Sequence, residues 1–180
     1  MRHSYGWIAL FACLALPALG MAQAPPAPPP PPPARAEDVA TVDGIVRAFY
    51  EVISGPAGQP RQWRRDSSLY IPGVRFVAMS VRDGRPVADV MDHAAFVRRV
   101  DAPFVRDGFF EREIHRVMRR FGNIAHVFST YEFRATEGGP VQGRGVNSIE
   151  MFWDGQRWWI AAAIWDDERP DNPIPRDLLP

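Results

Sequence analysis

The chain has 180 residues, of which 46% are apolar, and this favours one globular domain with appendages. Its 21 basic and 21 acidic residues balance and are interleaved, which argues against a nucleic-acid-binding surface. Every basic residue is an arginine, and this excludes Schiff-base lysine and phosphate-loop lysine chemistry.

Residues 1–24 have the pattern of an export signal. A short positive start precedes an apolar run over residues 7–19, and residues 22–24 form a small-x-small cleavage site. We therefore predict an exported, periplasmic protein that has no membrane contact after cleavage. The one cysteine, Cys13, lies within the signal, so the mature chain needs no disulfide. Processing as a lipoprotein at Cys13 is the alternative.

A proline-rich linker is predicted to separate the signal from the fold. Residues 25–36 begin as almost pure proline, and such a run forms a semi-rigid polyproline II spacer. The folded domain is predicted over residues 37–170. The last segment, residues 171–180, is predicted to run extended over the surface because its prolines exclude a central strand.

The first half of the domain predicts helices. Apolar residues recur at helical spacing over residues 39–53. A short helix is predicted to begin at Pro60 and to include Trp63. A third helix begins at Asp92, a favourable N-cap, and is predicted to end before Pro103.

Strands dominate the second half. A small hairpin is predicted over residues 74–90, with its turn at Asp83 and Gly84. Four long strands follow, at residues 109–119, 124–135, 144–153 and 156–167. Asp154 and Gly155 predict a two-residue type I′ turn between the last two strands. Helices segregated from an antiparallel meander predict an α+β fold, in which a curled sheet covered by helices on its concave side encloses a cone.

Four segments carry a resemblance to known proteins. They read AFY at residues 48–50, GFFEREI at 108–114, FGNIAHVFSTYE at 121–132 and GQRWWI at 155–160. Over residues 37–168 the chain resembles the nuclear transport factor 2-like superfamily, which includes SnoaL-like polyketide cyclases and steroid isomerases.

This resemblance implies a cone-shaped α+β barrel of a curved antiparallel sheet, with about three helices on its concave side. It also implies a frequent dimer through the outer sheet face. Members of the superfamily range from isomerases, cyclases and dehydratases to binding modules. Their acid–base residues do not map onto motifs of this chain, so none is transferred.

The strand pattern predicts which residues line the cone. With a two-residue turn at Asp154 and Gly155, Asn147 shares a face with Trp158, and that face is otherwise apolar. Its other members are Gly145, Ile149, Met151, Ile160, Ala162 and Ile164. Extending the pairing to the preceding strand adds His126, Phe128, Thr130 and Glu132 to the same face. A one-residue slip or a bulge reverses such assignments.

His126 is the first acid–base candidate, because imidazole titrates near neutrality. Glu113 or Glu132 is predicted to assist it, and Asn147 to orient it. The alternative is a structural histidine that forms a hydrogen bond within the sheet.

Glu111 and Glu113 form a second candidate pair. They lie two residues apart on one strand and therefore point the same way, so a shared pocket would separate their pKa values into an acid and a base. The alternative is pairing with arginines on a charged sheet face, with Arg112, Arg116 or Arg134 as partners.

Aromatic residues predict the contacts of a small apolar ligand. The predicted ligand-contacting residues are Trp63, His126, Phe128, Thr130, Asn147 and Trp158. The adjacent Trp158 and Trp159 must face opposite sides of the sheet, which favours a homodimer that covers the outer face.

Neither a metal nor a cofactor is predicted. The mature chain has three histidines, at positions 93, 115 and 126, without ligand spacing and without a thiolate. Two hypotheses follow. The first is an exported ligand-binding or protein-interaction module; the alternative is a cofactor-free isomerase, dehydratase or cyclase that uses acid–base chemistry in the cone.

Overall fold

The computed structural model describes residue 30 and residues 32–180. The predicted signal peptide, Cys13 and most of the prolines of the linker lie outside the described residues. Within the described part, each helix is too short or too polar to cross a membrane.

Six strands form one curved, unclosed sheet. They are β1 (Tyr70–Arg82), β2 (Arg85–Met91), β3 (Phe110–Phe121), β4 (Ile124–Arg134), β5 (Gly143–Trp153) and β6 (Trp158–Asp167). Their spatial order is β2-β1-β6-β5-β4-β3, so β2 and β3 are the two edges. β1 runs parallel to β6 and all other neighbours are antiparallel, which makes the sheet mixed.

Helices cover the concave face of this sheet. They are α1 (Ala36–Val39), α2 (Val42–Glu51), α3 (Trp63–Ser67) and α4 (His93–Asp107), and a 3₁₀ turn (Arg176–Leu178) follows near the C-terminus. The core lies between α2, α4 and the inner sheet face, where Ile45, Phe76, Val127 and Ile149 are fully or almost fully buried. This architecture confirms the predicted α+β cone.

Three predicted helix boundaries are wrong, and the first is that α3 begins at Trp63 and not at Pro60. The pattern over residues 39–53 is divided between α1 and α2, because the Thr41 hydroxyl accepts the Gly44 N–H (2.9 Å) and caps a new helix. α4 begins at the predicted Asp92 cap but continues through Pro103. The proline removes one backbone donor. In the last turn of the helix, Phe104 stacks on Phe109, which follows the helix in the chain.

The last hairpin has a four-residue loop, so the predicted two-residue turn is wrong. Trp153 pairs directly with Trp158. The Asp154 carboxylate accepts the backbone N–H groups of Gln156 and Arg157, both at 2.8 Å, and so stabilises a wider loop. The loop is longer than predicted by two residues, an even number, so the side chains keep the same faces. Asn147 and Trp158 therefore remain on the inner face as predicted.

Two bulges then change which residues face inward. An extra residue in β6, Ala161, turns Ala163 and Trp165 toward the core, so the prediction that Ala162 and Ile164 face inward is wrong. A second extra residue lies in β3 between Glu113 and His115, and it brings Arg116 to the inner face.

Buried polar contacts hold α4 at both ends. At its C-terminal end, the buried guanidinium of Arg61 donates to the carbonyl of Phe104. At its N-terminal end, the fully buried Asp66 accepts the hydroxyl of Tyr70 (2.7 Å) and contacts a ring nitrogen of His93 (2.6 Å). These contacts fix α4 over the concave face of the sheet.

A glycine in β5 allows a tyrosine to pack against the backbone. A Cβ atom at Gly145 would lie 2.3 Å from the Tyr131 hydroxyl and 2.6 Å from the Asp166 carbonyl oxygen. Tyr131 is buried and hydrogen-bonded, and the Asp166 contact is backbone, so neither can move easily.

We expect Gly145→Ala to lower the free energy of unfolding by about 1–3 kcal/mol, the usual cost of overpacking a core. Urea unfolding followed by tryptophan fluorescence measures this. Gly138→Ala is the matched control, since nothing lies within 4 Å of its added Cβ. Equal stability of the two variants would contradict the packing described.

Candidate active site

An aromatic cavity of about 320 Å³ lies between α4 and the concave face of the sheet. Aromatic side chains from helices and strands border it, among them Phe76, Phe96, Phe104, Phe109, Phe133 and Trp165. Phe104 and Phe109 stack with ring centroids 3.9 Å apart, and Phe133 continues the stack at 5.6 Å from Phe109. The volume lies at the lower end of the range of small-molecule sites.

Polar groups meet at the end of this cavity near β3. Glu111, Tyr131, Asn147 and Asp167 all border it. The Tyr131 hydroxyl donates to the Asp167 carboxylate at 2.6 Å. Burial, followed by the nearby carboxylates of Glu111 and Asp167, raises the pKa of Tyr131 above its ordinary value, so the phenol keeps its proton near neutrality.

Glu111 is the unusual carboxyl of this group. Burial raises the pKa of Glu111 from an ordinary 4.5 to about 8. The neighbouring Asn147 amide opposes the rise, and the Asp167 carboxylate adds to it. Among the described residues, no cation lies within ion-pair distance of Glu111. Glu111 is therefore able to gain or lose a proton near neutral pH.

A chain of buried hydrogen bonds leads away from the cavity. The Asn147 amide donates to the Tyr50 hydroxyl (3.1 Å), which donates to the Ser129 hydroxyl (2.6 Å). Ser129 in turn donates to Glu113. Glu113 ends the chain as an ion pair with Arg116 (2.7 Å). The chain fixes the side chain of Asn147 beside Glu111.

A second cavity, of about 490 Å³, lies between α2 and β3. Tyr50, Glu113 and Arg116 border it, and so does Glu111. Glu111 thus borders both cavities and is partly exposed.

Four of the predicted site residues lie on the opposite face. β4 pairs with β5 through Val127–Ile149 and Ser129–Asn147, one residue out of the predicted phase. The predicted inward orientation is therefore wrong for His126, Phe128, Thr130 and Glu132.

These outer-face residues have local partners. His126 contacts the Ser148 hydroxyl (2.8 Å) and packs against Phe128. Thr130 donates to the carbonyl of Leu178 (2.6 Å), which holds the C-terminal tail on the sheet.

Glu132 accepts from Arg112 (2.6 Å) and pairs with Arg134 (2.7 Å). Arginine pairing was the alternative for Glu111 and Glu113. It is found at Glu113, which pairs with Arg116, whereas Arg112 and Arg134 pair with Glu132.

The other predicted residues lie on the helix side or the inner face. Glu113 and Asn147 face inward, and Asn147 borders the aromatic cavity. Trp158 is buried beneath the guanidinium of Arg120, 4.9 Å from its ring centroid, away from that cavity. Trp63 donates to Asp101 (2.6 Å) and joins α3 to α4.

The sequence patterns missed several groups that border the aromatic cavity or belong to the chain of hydrogen bonds. Tyr50, Ser129, Tyr131 and Asp167 were not singled out by the strand pattern. The correct phase was visible in the alternation Ala125, Val127, Ser129 and Tyr131, all small or apolar-bodied residues on one face. No group of three or more His, Cys, Asp or Glu side chains in the described part is arranged to hold a metal ion.

No protein-family model matches the sequence, and no curated protein matches it significantly. Solved structures do match the fold. A protein of unknown function from Mycobacterium tuberculosis is 15% identical over 76% of this chain and 80% of that one, with a TM-score of 0.52.

Two further structures are similar at low identity. A domain from Xanthomonas campestris, named for the association domain of calcium/calmodulin-dependent protein kinase II, is 13% identical over 72% of this chain and 86% of that one (TM-score 0.50). A nuclear transport factor 2-like protein of unknown function from Silicibacter pomeroyi is 14% identical over 72% and 94% (TM-score 0.46).

A curved sheet whose concave face is covered by helices around an interior cavity defines the class as a cone-shaped α+β protein. The chain shares this fold with the structures from Mycobacterium tuberculosis and Xanthomonas campestris, and it is the nuclear transport factor 2-like fold that the sequence predicts.

The raised pKa of Glu111 predicts a pH-dependent stability. The unfolded carboxyl ionises above about 4.5 and the folded one above about 8, so its contribution is complete below pH 4.5 and is lost as the pH rises to 8. The loss is at most about 1.4 kcal/mol for each pH unit. Urea unfolding at pH 5 and pH 8 should show a smaller decrease for Glu111→Gln than for wild type.

Glu137→Gln, which removes an exposed carboxylate at the second cavity, is the control and should behave as wild type. If Glu111→Gln also retained the full wild-type decrease, the raised pKa would be assigned to the wrong group.

Proposed function

We propose that the protein is a cofactor-free proton-transfer enzyme, of the isomerase, dehydratase or cyclase type, acting on a small apolar molecule bound in the aromatic cavity. Glu111 carries this proposal, because it is a carboxyl with a pKa of about 8 at the end of an apolar cavity and without a cationic partner among the described residues. The binding-module hypothesis needs the same cavity but gives no role to such a carboxyl.

The proposed step is proton abstraction next to a carbonyl group. Ionised Glu111 removes a proton from the carbon beside the carbonyl, and the C–H electron pair moves into an enolate. The same carboxyl then returns the proton to that carbon or to a conjugated one. Tyr131 keeps its proton and can share it between Asp167 and the ligand oxygen. Asn147 holds Glu111 in place.

A simple activated ketone tests this proposal. We expect the wild-type protein to accelerate exchange of the α-protons of 2-tetralone into D₂O, followed by NMR. The rate should rise about tenfold per pH unit below pH 8 and level above it, as Glu111 ionises. Glu111→Gln should reduce the rate by about a hundred- to ten-thousand-fold.

Glu137→Gln is again the matched control and should keep the wild-type exchange rate. Binding of the ketone without accelerated exchange would favour the binding module over the enzyme. His126→Ala should leave exchange unchanged, because His126 lies on the outer face.

We further propose that the protein is exported, on the N-terminal sequence pattern, and that it forms a homodimer through the outer sheet face. A row of exposed apolar residues crosses that face, and includes Val117, Phe128, Ile164 and Val90. The adjacent row carries both charge signs, at Arg119, His126, Glu150 and Arg75. A row with both charge signs beside an apolar row is self-complementary, so this face is suited to pairing with the same face of a second copy.

Phe128→Glu combined with Ile164→Glu should convert the dimer to a monomer, because it buries charge in the apolar row. Size-exclusion chromatography with light scattering measures the mass. Arg85→Glu, at an exposed turn, is the control and should remain dimeric. A monomeric wild-type protein would contradict the dimer.

A further inference from the structure

An arginine occupies the apolar face of α4. Phe96, Val100 and Phe104 lie on the side of this helix that borders the aromatic cavity, and Arg99 lies beside them. The spacing of three, four and eight residues from Phe96 places all of them on one helix face. Among the described residues that border this cavity, Arg99 is the one basic residue.

Arg99 and Glu111 border the same cavity from different elements, α4 and β3. The Arg99 guanidinium pairs with Asp89 on β2 and contacts the sulfur of Met91 (3.8 Å). Glu111 lies on β3, and β2 and β3 are the two edges of the sheet. The cavity is therefore bordered by the carboxyls of Glu111 and Asp167, by aromatic rings, and by Arg99.

The contact with Asp89 leaves Arg99 able to bind another anion. Both side chains are nearly half exposed, at 46% and 43%. Ion pairs at such exposure stabilise a protein by about 1 kcal/mol or less, so exchange of one carboxylate for another costs little. The planar guanidinium matches a carboxylate with two parallel hydrogen bonds, which makes this the best anion for it.

We propose that the ligand of this cavity is a flat, apolar carboxylic acid whose carboxylate is held by Arg99 while its reacting carbon lies at Glu111. This inference rests on the proposed function and names its substrate class. The orientation follows from charge, because a carboxylate is repelled by Asp167 and attracted by Arg99. The stacked rings of Phe104, Phe109 and Phe133 border the cavity and offer an aromatic surface to the flat body.

Two probes of the same shape test this proposal. Naphthalene-2-carboxylate and naphthalene-2-carboxamide differ in charge and little else, and isothermal titration calorimetry at pH 6.5 measures the binding of each. We expect Arg99→Gln to weaken the carboxylate by up to about fivefold, because an ion pair at this exposure is worth about 1 kcal/mol or less, and to leave the carboxamide unchanged. Arg99→Lys should give an intermediate loss, because the charge remains without the planar fork.

Arg98→Gln is the matched control, since it removes the same charge from an exposed position one residue earlier on α4. It should bind both probes as wild type does. An equal loss for the carboxylate in Arg98→Gln would show a general charge effect and overturn the proposal. So would an equal loss of both probes in Arg99→Gln, which would mean that Arg99 only packs against the cavity.

Binding of the carboxylate and transfer of the proton are tested separately. If wild type accelerated the exchange of 2-tetralone but bound neither probe, the Arg99 inference would fall and the proposed function would stand. If Arg99→Gln distinguished the probes but Glu111→Gln kept its full exchange rate, the carboxylate site would stand and the proton-transfer function would not.

Discussion

Several polar side chains are buried beside the aromatic cavity, and a continuous chain of hydrogen bonds gives each of them a partner. An isolated buried hydroxyl or amide would cost about 1–3 kcal/mol. Asn147, Tyr50 and Ser129 are each at most 5% exposed, and each finds its partner in the next. The chain ends on Glu113, whose charge Arg116 neutralises. Loss of any member would leave its neighbours unpaired in an apolar interior.

The need for a partner also makes two chemically identical carboxyls behave differently. Glu111 and Glu113 face the same way on β3, yet Glu113 has a guanidinium and Glu111 has none within reach among the described residues. The difference comes from the β3 bulge, which turns Arg116 inward, where regular alternation would place it outside. One carboxyl therefore anchors the network, and the other is left to titrate near neutrality.

The sequence predicted the fold better than the site. Segregated helices and long strands indicated the cone, and a two-residue spacing correctly placed Glu111 and Glu113 on one face. His126 was misplaced because the eight-residue connection between β4 and β5 has no turn signature that fixes the register. The bulges at β3 and β6 leave no local sequence signal. Arg99 was missed because its position depends on how α4 packs against the sheet, and sequence periodicity does not give the orientation of a helix on a sheet.

The β6 bulge has a consequence for how such a protein can vary. Every residue beyond Ala161 owes its inward or outward direction to that one additional position. Substitutions there alter a single side chain, whereas shortening the strand by one residue would rotate Trp165 and Asp167 out of the interior together. Relatives that differ by an insertion or deletion at this point would thus keep the hairpin but present a different chemistry inside it.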